Sequence, residues 1–205
     1  MADIWAFRDA VAHWAAGGPG GGPTESAAEL GLHTAVLLEG ASDFAAVETL
    51  AARRGRDLGA EGVCVIAMGG AMSVGRYAGL LGPPGLGLRL TGLCDVRERR
   101  YYDRALQRAR APLPGYFVCE ADLEDELIRA LGTARVEAIV AAEGDDRAWQ
   151  TFLHQPAQLD RPRPLQLRRF LGTKKGRKIR YGRLLVEALD LAEVPAPLDA
   201  LLAAL

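Results

Sequence analysis

The stretch Thr34-Ala35-Val36-Leu37-Leu38-Glu39-Gly40-Ala41-Ser42-Asp43 constrains the fold of this chain more than any other. Its first five residues are small or aliphatic without a break, the pattern of a strand buried on both faces. Such a strand belongs inside a parallel sheet covered by helices on both sides. Glu39 then ends the strand, Gly40 allows a tight turn, and Ser42 and Asp43 are suited to cap a helix running to about residue 54. That order places a carboxylate at the carboxyl end of a parallel strand, where open α/β sheets bind their ligands.

The pattern recurs along the chain. Residues 63–68 form a second apolar run closed by Gly69-Gly70, residues 88–94 a third ending in Asp95, and residues 116–119 a fourth ending in Glu120. Helical spacing fills the intervals 73–81 and the Arg/Tyr-rich stretch up to Arg108. Beyond Asp122 only helical patterns follow, over 122–131, 134–143, 146–153, 165–171, 176–190 and 197–204. The expectation is an α/β fold: a parallel four-stranded sheet between helices, with a helical C-terminal third. Residues 1–32 read as an N-terminal amphipathic helix (Ile4, Trp5, Phe7, Val11, Trp14) and a Gly/Pro-rich flexible linker over Gly17–Pro23. Residues 33–132 read as the α/β core, and 133–205 as a helical extension packed on it. No apolar run of 18 residues is present, which speaks against a membrane span. Cys64, Cys94 and Cys119 lie in separate strand runs; an odd count there favours buried thiols and a reducing, cytoplasmic setting.

Parallel strands share one C-terminal edge, so Glu39, Asp95 and Glu120 converge although they lie far apart in sequence. Asp122, Glu124, Asp125 and Glu126 follow immediately. Two carboxylates about 4 Å apart repel by roughly 4 kcal/mol at an effective dielectric near 20. A hard cation relieves that repulsion, and Mg²⁺ takes oxygen ligands of this kind. The competing explanation is that Asp43, Asp95, Asp122 and Glu124 are helix N-terminal acids that stabilise the macrodipole.

Several of these motifs together resemble a known family. Leu38-Glu39-Gly40-Ala41-Ser42-Asp43 looks like the opening motif of the Toprim fold, and Gly69-Gly70 and Cys94-Asp95 fall in matching places. Asp122-Leu123-Glu124 and Gly172-Thr173-Lys174-Lys175-Gly176 are similar to the Toprim domain of the OLD (overcoming lysogenisation defect) nucleases. The resemblance spans about residues 33–190. It implies a Toprim-like fold and metal-dependent phosphodiester hydrolysis with Mg²⁺ or Mn²⁺. Glu39 and Asp43 would serve one metal, Asp95 would bridge, and Glu124 would serve the second. Glu120 and Asp122 extend the candidate ligand set, and Lys174 or Lys175 would neutralise the transition state. Toprim proteins usually carry Asp-x-Asp after strand three, whereas this chain reads Asp95-Val96-Arg97-Glu98. An arginine there repels a second cation, so one metal is expected, with Glu98 placed to reach in from the next helical turn. OLD nucleases join the Toprim module to an ATPase. No G-x-x-x-x-G-K-[ST] occurs here, so the ATPase is expected to be absent or supplied in trans.

Residues Arg161 to Arg183 carry ten Lys/Arg and no Asp/Glu. Arg168, Arg169, Arg177, Lys178 and Arg180 are therefore candidate phosphate contacts to nucleic acid, DNA being the expected form. A solvated helix face is the alternative. Tyr101 and Tyr102, beside Arg99, Arg100 and Arg104, are candidates for stacking on bases or for the core. Two functions compete: a Mg²⁺-dependent endonuclease-like hydrolase, and a nucleic-acid or nucleotide-binding module in which loss of the second aspartate has cost cleavage. A receiver-like signalling domain needs paired acids after strand one and a fifth strand, and neither is present.

Overall fold

The computed structural model describes residues 3–111 and 115–205. Two helices, α1 (Ile4–Ala15) and α2 (Gly21–Glu29), lead into β1 (Thr34–Leu38) and α3 (Ala41–Arg53). The chain continues through β2 (Val63–Ala67), α4 (Val74–Leu81), β3 (Arg89–Asp95), α5 (Arg99–Arg108) and β4 (Phe117–Cys119). Alternating strands and helices from β1 to β4 thus give way to an all-helical run. It comprises α6 (Leu123–Leu131), α7 (Thr133–Ala142), α8 (Asp146–Leu153), α9 (Arg163–Leu171), α10 (Lys175–Ala188) and α11 (Ala196–Ala203).

The four strands form one parallel sheet in the order β2-β1-β3-β4. All five residues of β1 are buried. Successive side chains of a strand point to opposite faces, and here each face has its own core. Val36 and Leu38 join a cluster with α3 and the C-terminal helices, through residues such as Leu127, Phe170, Leu185 and Leu202. Ala35 and Leu37 join a second cluster with Phe7, Tyr77, Leu81 and Leu106 from α1, α4 and α5. The uninterrupted hydrophobicity of residues 34–38 follows from this two-sided burial.

The C-terminal third is held to the sheet by polar contacts as well as by its core. Arg53 Nη1 donates to the carbonyls of Val186 (2.8 Å) and Leu189 (2.9 Å). Arg56 Nη1 donates to Leu202 O at 2.6 Å, and Arg89 Nη2 to Ala204 O at 2.8 Å. These guanidiniums bind carbonyls at the C-terminal ends of α10 and α11, where the helical hydrogen-bond ladder runs out. No helix among the described residues is long and apolar enough to cross a membrane. The three cysteines are free and buried.

One expectation is corrected here. The stretch Gly17–Pro23 is not a flexible linker along its length, because Gly21, Gly22 and Pro23 form the first turn of α2. A proline in the first turn forfeits no intrahelical hydrogen bond, and Pro23 and Ala27 are buried.

Candidate metal centre and adjoining basic cavity

Leu38 is level with Ala67 of β2 and Leu93 of β3, and Asp95 is level with Cys119 of β4. The residues that follow each strand therefore emerge along one edge of the sheet. The loop after β2 turns back over this edge: Gly70 N–H donates to Glu39 O at 2.9 Å. Gly70 does so at φ 134°, a backbone conformation that side-chain-bearing residues rarely adopt.

Glu39, Asp95 and Glu98 meet at this edge, each offering a carboxylate oxygen, all within 4.8 Å of one another. Glu39 follows β1, Asp95 ends β3, and Glu98 is the N-cap position of α5, where its N–H donates to Asp95 O at 2.9 Å. The tight turn over 95–98 brings Glu98 beside Asp95. Among the described residues none of the three forms an ion pair within 4.0 Å, and Glu98 Oε2 is buried without a hydrogen-bond partner. Burial, with the negative charges of Asp122, Glu98 and Glu39, pushes the Asp95 carboxyl up to about 8. Burial and the Glu39 charge push Glu98 up to about 7. Three oxygen donors converging without a cation, one of them orphaned, fit a hard divalent ion. Arg97, at the usual position of the second aspartate, is exposed.

A second group of acids adjoins the first and is constituted differently. Asp43 Oδ2 accepts the Gly40 N–H at 3.0 Å, reaching back over the start of α3. Its carboxyl is pushed up to about 7 by burial and then by the charge of Glu124. Asp122 caps α6, with Oδ1 accepting the Asp125 N–H at 2.8 Å, while Oδ2 accepts from Arg168 Nε at 2.6 Å. Glu124 is 5% exposed and lies 3.3 Å from Lys178 Nζ. Burial outweighs that lysine, so the Glu124 pKa stays above the usual carboxylate range. Lys178 is also pulled downward by burial, but Glu124, Asp43 and Glu39 outweigh it and raise its pKa. The helix-cap explanation therefore describes the backbone contacts of Asp43 and Asp122, and leaves Glu39, Asp95 and Glu98 unexplained.

Lys178 stands between two cavities. One, about 410 Å³, is floored by Glu39, Gly40, Asp43, Gly69 and Gly70. The other, about 510 Å³, has Asp122 and Glu124 on one wall and Arg161, Arg168 and Arg169 on another. Arg161 and Arg169 are exposed.

Other candidate residues lie elsewhere. Glu120 is exposed and faces Arg129 at 2.9 Å, outside the cluster, because the chain turns between β4 and α6 and it is Asp122 that points inward. Lys174 is exposed and lines a separate cavity with Arg147, Thr151 and Phe152. The side chain of Lys175 lies outside the described residues. Arg177 and Arg180 are engaged internally: both bind Asp145, and Arg177 also lies over the Phe170 ring at 4.0 Å. Tyr102 is buried, its hydroxyl 3.2 and 3.1 Å from the carbonyls of Leu37 and Leu93, so it is no stacking platform. Lys178, read from the sequence as a phosphate contact, is the cation inside the acidic cluster. Its signal was the spacing Lys178, Tyr181, Gly182, Leu185, which places it on the face of α10 that meets the core.

Comparison with known proteins agrees with this geometry. A family model described as "Overcoming lysogenization defect protein-like, TOPRIM domain" matches residues 33–96. No curated protein matches the chain. The C-terminal region of the Burkholderia pseudomallei OLD protein is similar in structure, with a TM-score of 0.62 at 21% identity, covering 84% of this chain and 96% of that one. The C-terminal region of the Xanthomonas campestris pv. campestris OLD protein gives a TM-score of 0.62 at 24% identity, covering 84% and 93%. Residues 33–96 thus resemble the OLD-like Toprim domain, and the chain as a whole shares the fold of the C-terminal regions of OLD proteins.

Proposed function

We propose that this protein is a divalent-metal-dependent hydrolase of phosphodiester bonds in nucleic acid, working as an endonuclease with Mg²⁺ or Mn²⁺. The observation that carries this reading is the uncompensated trio Glu39, Asp95 and Glu98, converging within 4.8 Å beside a basic cavity. The trio would hold the metal. When bound, the ion supplies a polarised phosphoryl oxygen and an activated water. Lys178 brings a compact ammonium to the junction of the two cavities, where it can neutralise charge developing on the phosphate. Arg161 and Arg169 offer guanidiniums to neighbouring phosphates. Gly69 and Gly70 have no side chain to obstruct a strand approaching Glu39.

The test is cleavage of supercoiled plasmid and of single- and double-stranded oligonucleotides, with Mg²⁺, Mn²⁺ or EDTA. Nicking that needs the metal and is lost in Glu39→Gln is the expected result. Metal-dependent binding without cleavage would favour the second reading, a nucleic-acid-binding module in which Arg97 has replaced a needed ligand. A wild-type protein that binds no divalent ion ends both.

A further inference from the structure

The two groups of acids differ in what already occupies them. The oxygens of Glu39, Asp95 and Glu98 converge with no cation of the protein's own within ion-pair distance among the described residues. Both oxygens of Asp122 are taken, one by the α6 N-cap bond and the other by Arg168 at 2.6 Å. Glu124 is held by Lys178 at 3.3 Å. A metal ion seeking Asp122 must first displace a guanidinium from a charge-assisted hydrogen bond, whereas an ion entering the trio displaces nothing of the kind.

Arg168 is also the residue best placed to be drawn away. It lines the cavity of about 510 Å³ with Arg161 and Arg169, which are exposed. Its own side chain is 32% exposed, within reach of an incoming anion. A phosphodiester entering this cavity offers Arg168 an anionic partner to replace Asp122, and the freed carboxylate belongs to the same sheet edge as Asp95, three residues beyond Cys119, which is level with Asp95 in the register of β3 and β4.

Resting on the metal-dependent reading above, we propose that the Arg161–Arg168–Arg169 cavity is a binding site for a backbone phosphate of the nucleic-acid strand, and that filling it switches Arg168 from Asp122 to phosphate. The trio loads one metal ion in the free protein; the second ion, served by Asp122, loads only when the strand is bound. Metal and strand are then coupled, and the coupling is reciprocal: each raises the affinity of the other by the same factor, typically about 5- to 150-fold. The protein is in effect guarded against assembling a complete two-metal centre in the absence of substrate.

The experiment counts Mn²⁺ ions by electron paramagnetic resonance. It compares wild type with and without a phosphorothioate-linked oligothymidylate that resists hydrolysis, after subtracting ions held by the oligonucleotide alone. Wild type is expected to bind a single ion alone and a second with the oligonucleotide. Arg168→Ala is expected to bind the second ion without it. If that variant does not fold, the paired wild-type titrations still decide. Two ions in free wild type, one ion both with and without the oligonucleotide, or a folded Arg168→Ala that still needs it would each overturn the coupling and leave the metal site standing. No ion under any condition would overturn the underlying reading as well.

Discussion

Replacing Asp95 with asparagine should stabilise the metal-free protein while removing its affinity for divalent ions. The carboxyl is held at about 8 against an ordinary 3.8 by burial and by the surrounding acids. A difference of about four pH units corresponds to roughly 6 kcal/mol of destabilisation once the group is fully ionised. Asp95 is partly open to solvent, and screening reduces such figures severalfold, to about 2 kcal/mol. For a chain of this size that is a melting-temperature gain of about 4–8 °C. The sign follows from proton binding. In the folded state Asp95 keeps its proton above the pH at which the unfolded chain has lost it, so wild-type stability falls as pH rises from about 4 towards 8. Asp43 and Glu98, both raised to about 7, act in the same direction. The gain from Asp95→Asn should be negligible near pH 4 and largest above pH 8. Thermal melts in EDTA across this range provide the assay, with a parallel series in Mg²⁺, where wild type should recover stability and the variant should not. A lower melting temperature for Asp95→Asn in EDTA at high pH would refute the reasoning and make Asp95 a structural residue.

Lys178→Met should lower single-turnover cleavage by roughly 10² or more, by analogy with loss of one oxyanion donor. Lys174→Met, in its separate cavity, should leave cleavage unchanged; equal losses would return the catalytic lysine to the glycine-flanked turn. In a filter-binding salt series, Arg161→Ala and Arg169→Ala should each flatten the slope of log affinity against log salt by about 0.9 on duplex DNA, and unchanged slopes would reduce them to surface charges. Asp145→Ala should destabilise the fold by about 3 kcal/mol in denaturant titrations, because Arg177, its side chain only 8% exposed, loses its counter-charge. A midpoint equal to wild type would mean that Arg177 is free to serve a ligand.

Much of the sheet edge was legible because a parallel sheet converts distant strand ends into neighbours. Glu39 and Asp95 needed only the strand pattern and the glycine after the first of them. Glu98 was reachable from its position in the turn after β3. The run from Glu120 to Glu126 was less informative, because which acid faces the site depends on where the turn ends and α6 begins. Asp122 takes the cap, and Glu120 is left outside with Arg129. In the basic segment, composition identified charge but not its direction. Arg177 and Arg180 are neutralised by Asp145, a partner more than thirty residues earlier that no local pattern announces. Lys174 and Lys178 differ by one helical turn, yet one faces solvent and the other the buried Glu124. Separating them required knowing which face of α10 meets α3.

That face is set by Gly182. A Cβ added there would lie 2.7 Å from the backbone carbonyl oxygen of Ser42, closer than side-chain carbons come to such atoms. Ser42 lies in the first turn of α3, beside Asp43 and three residues after Glu39, and Lys178 lies one turn before Gly182 on the same face of α10. The close approach of the two helices therefore decides how deeply Lys178 enters the acidic cluster. Gly182→Ala must push α10 outward, because the obstructing atom belongs to the backbone. Overpacking of this kind costs about 1–3 kcal/mol. The helix preference of alanine over glycine returns only about 0.5–1 kcal/mol. A net loss of stability should accompany a fall in cleavage of about tenfold or more as Lys178 withdraws from Glu124. Affinity for the first metal should change little, since Glu39, Asp95 and Glu98 belong to the sheet edge and not to α10. Comparing Mn²⁺ affinity with the single-turnover rate in this variant separates the two effects. A variant more stable than wild type and equally active would show that the helices can part without cost, and that the position of Lys178 does not depend on their contact.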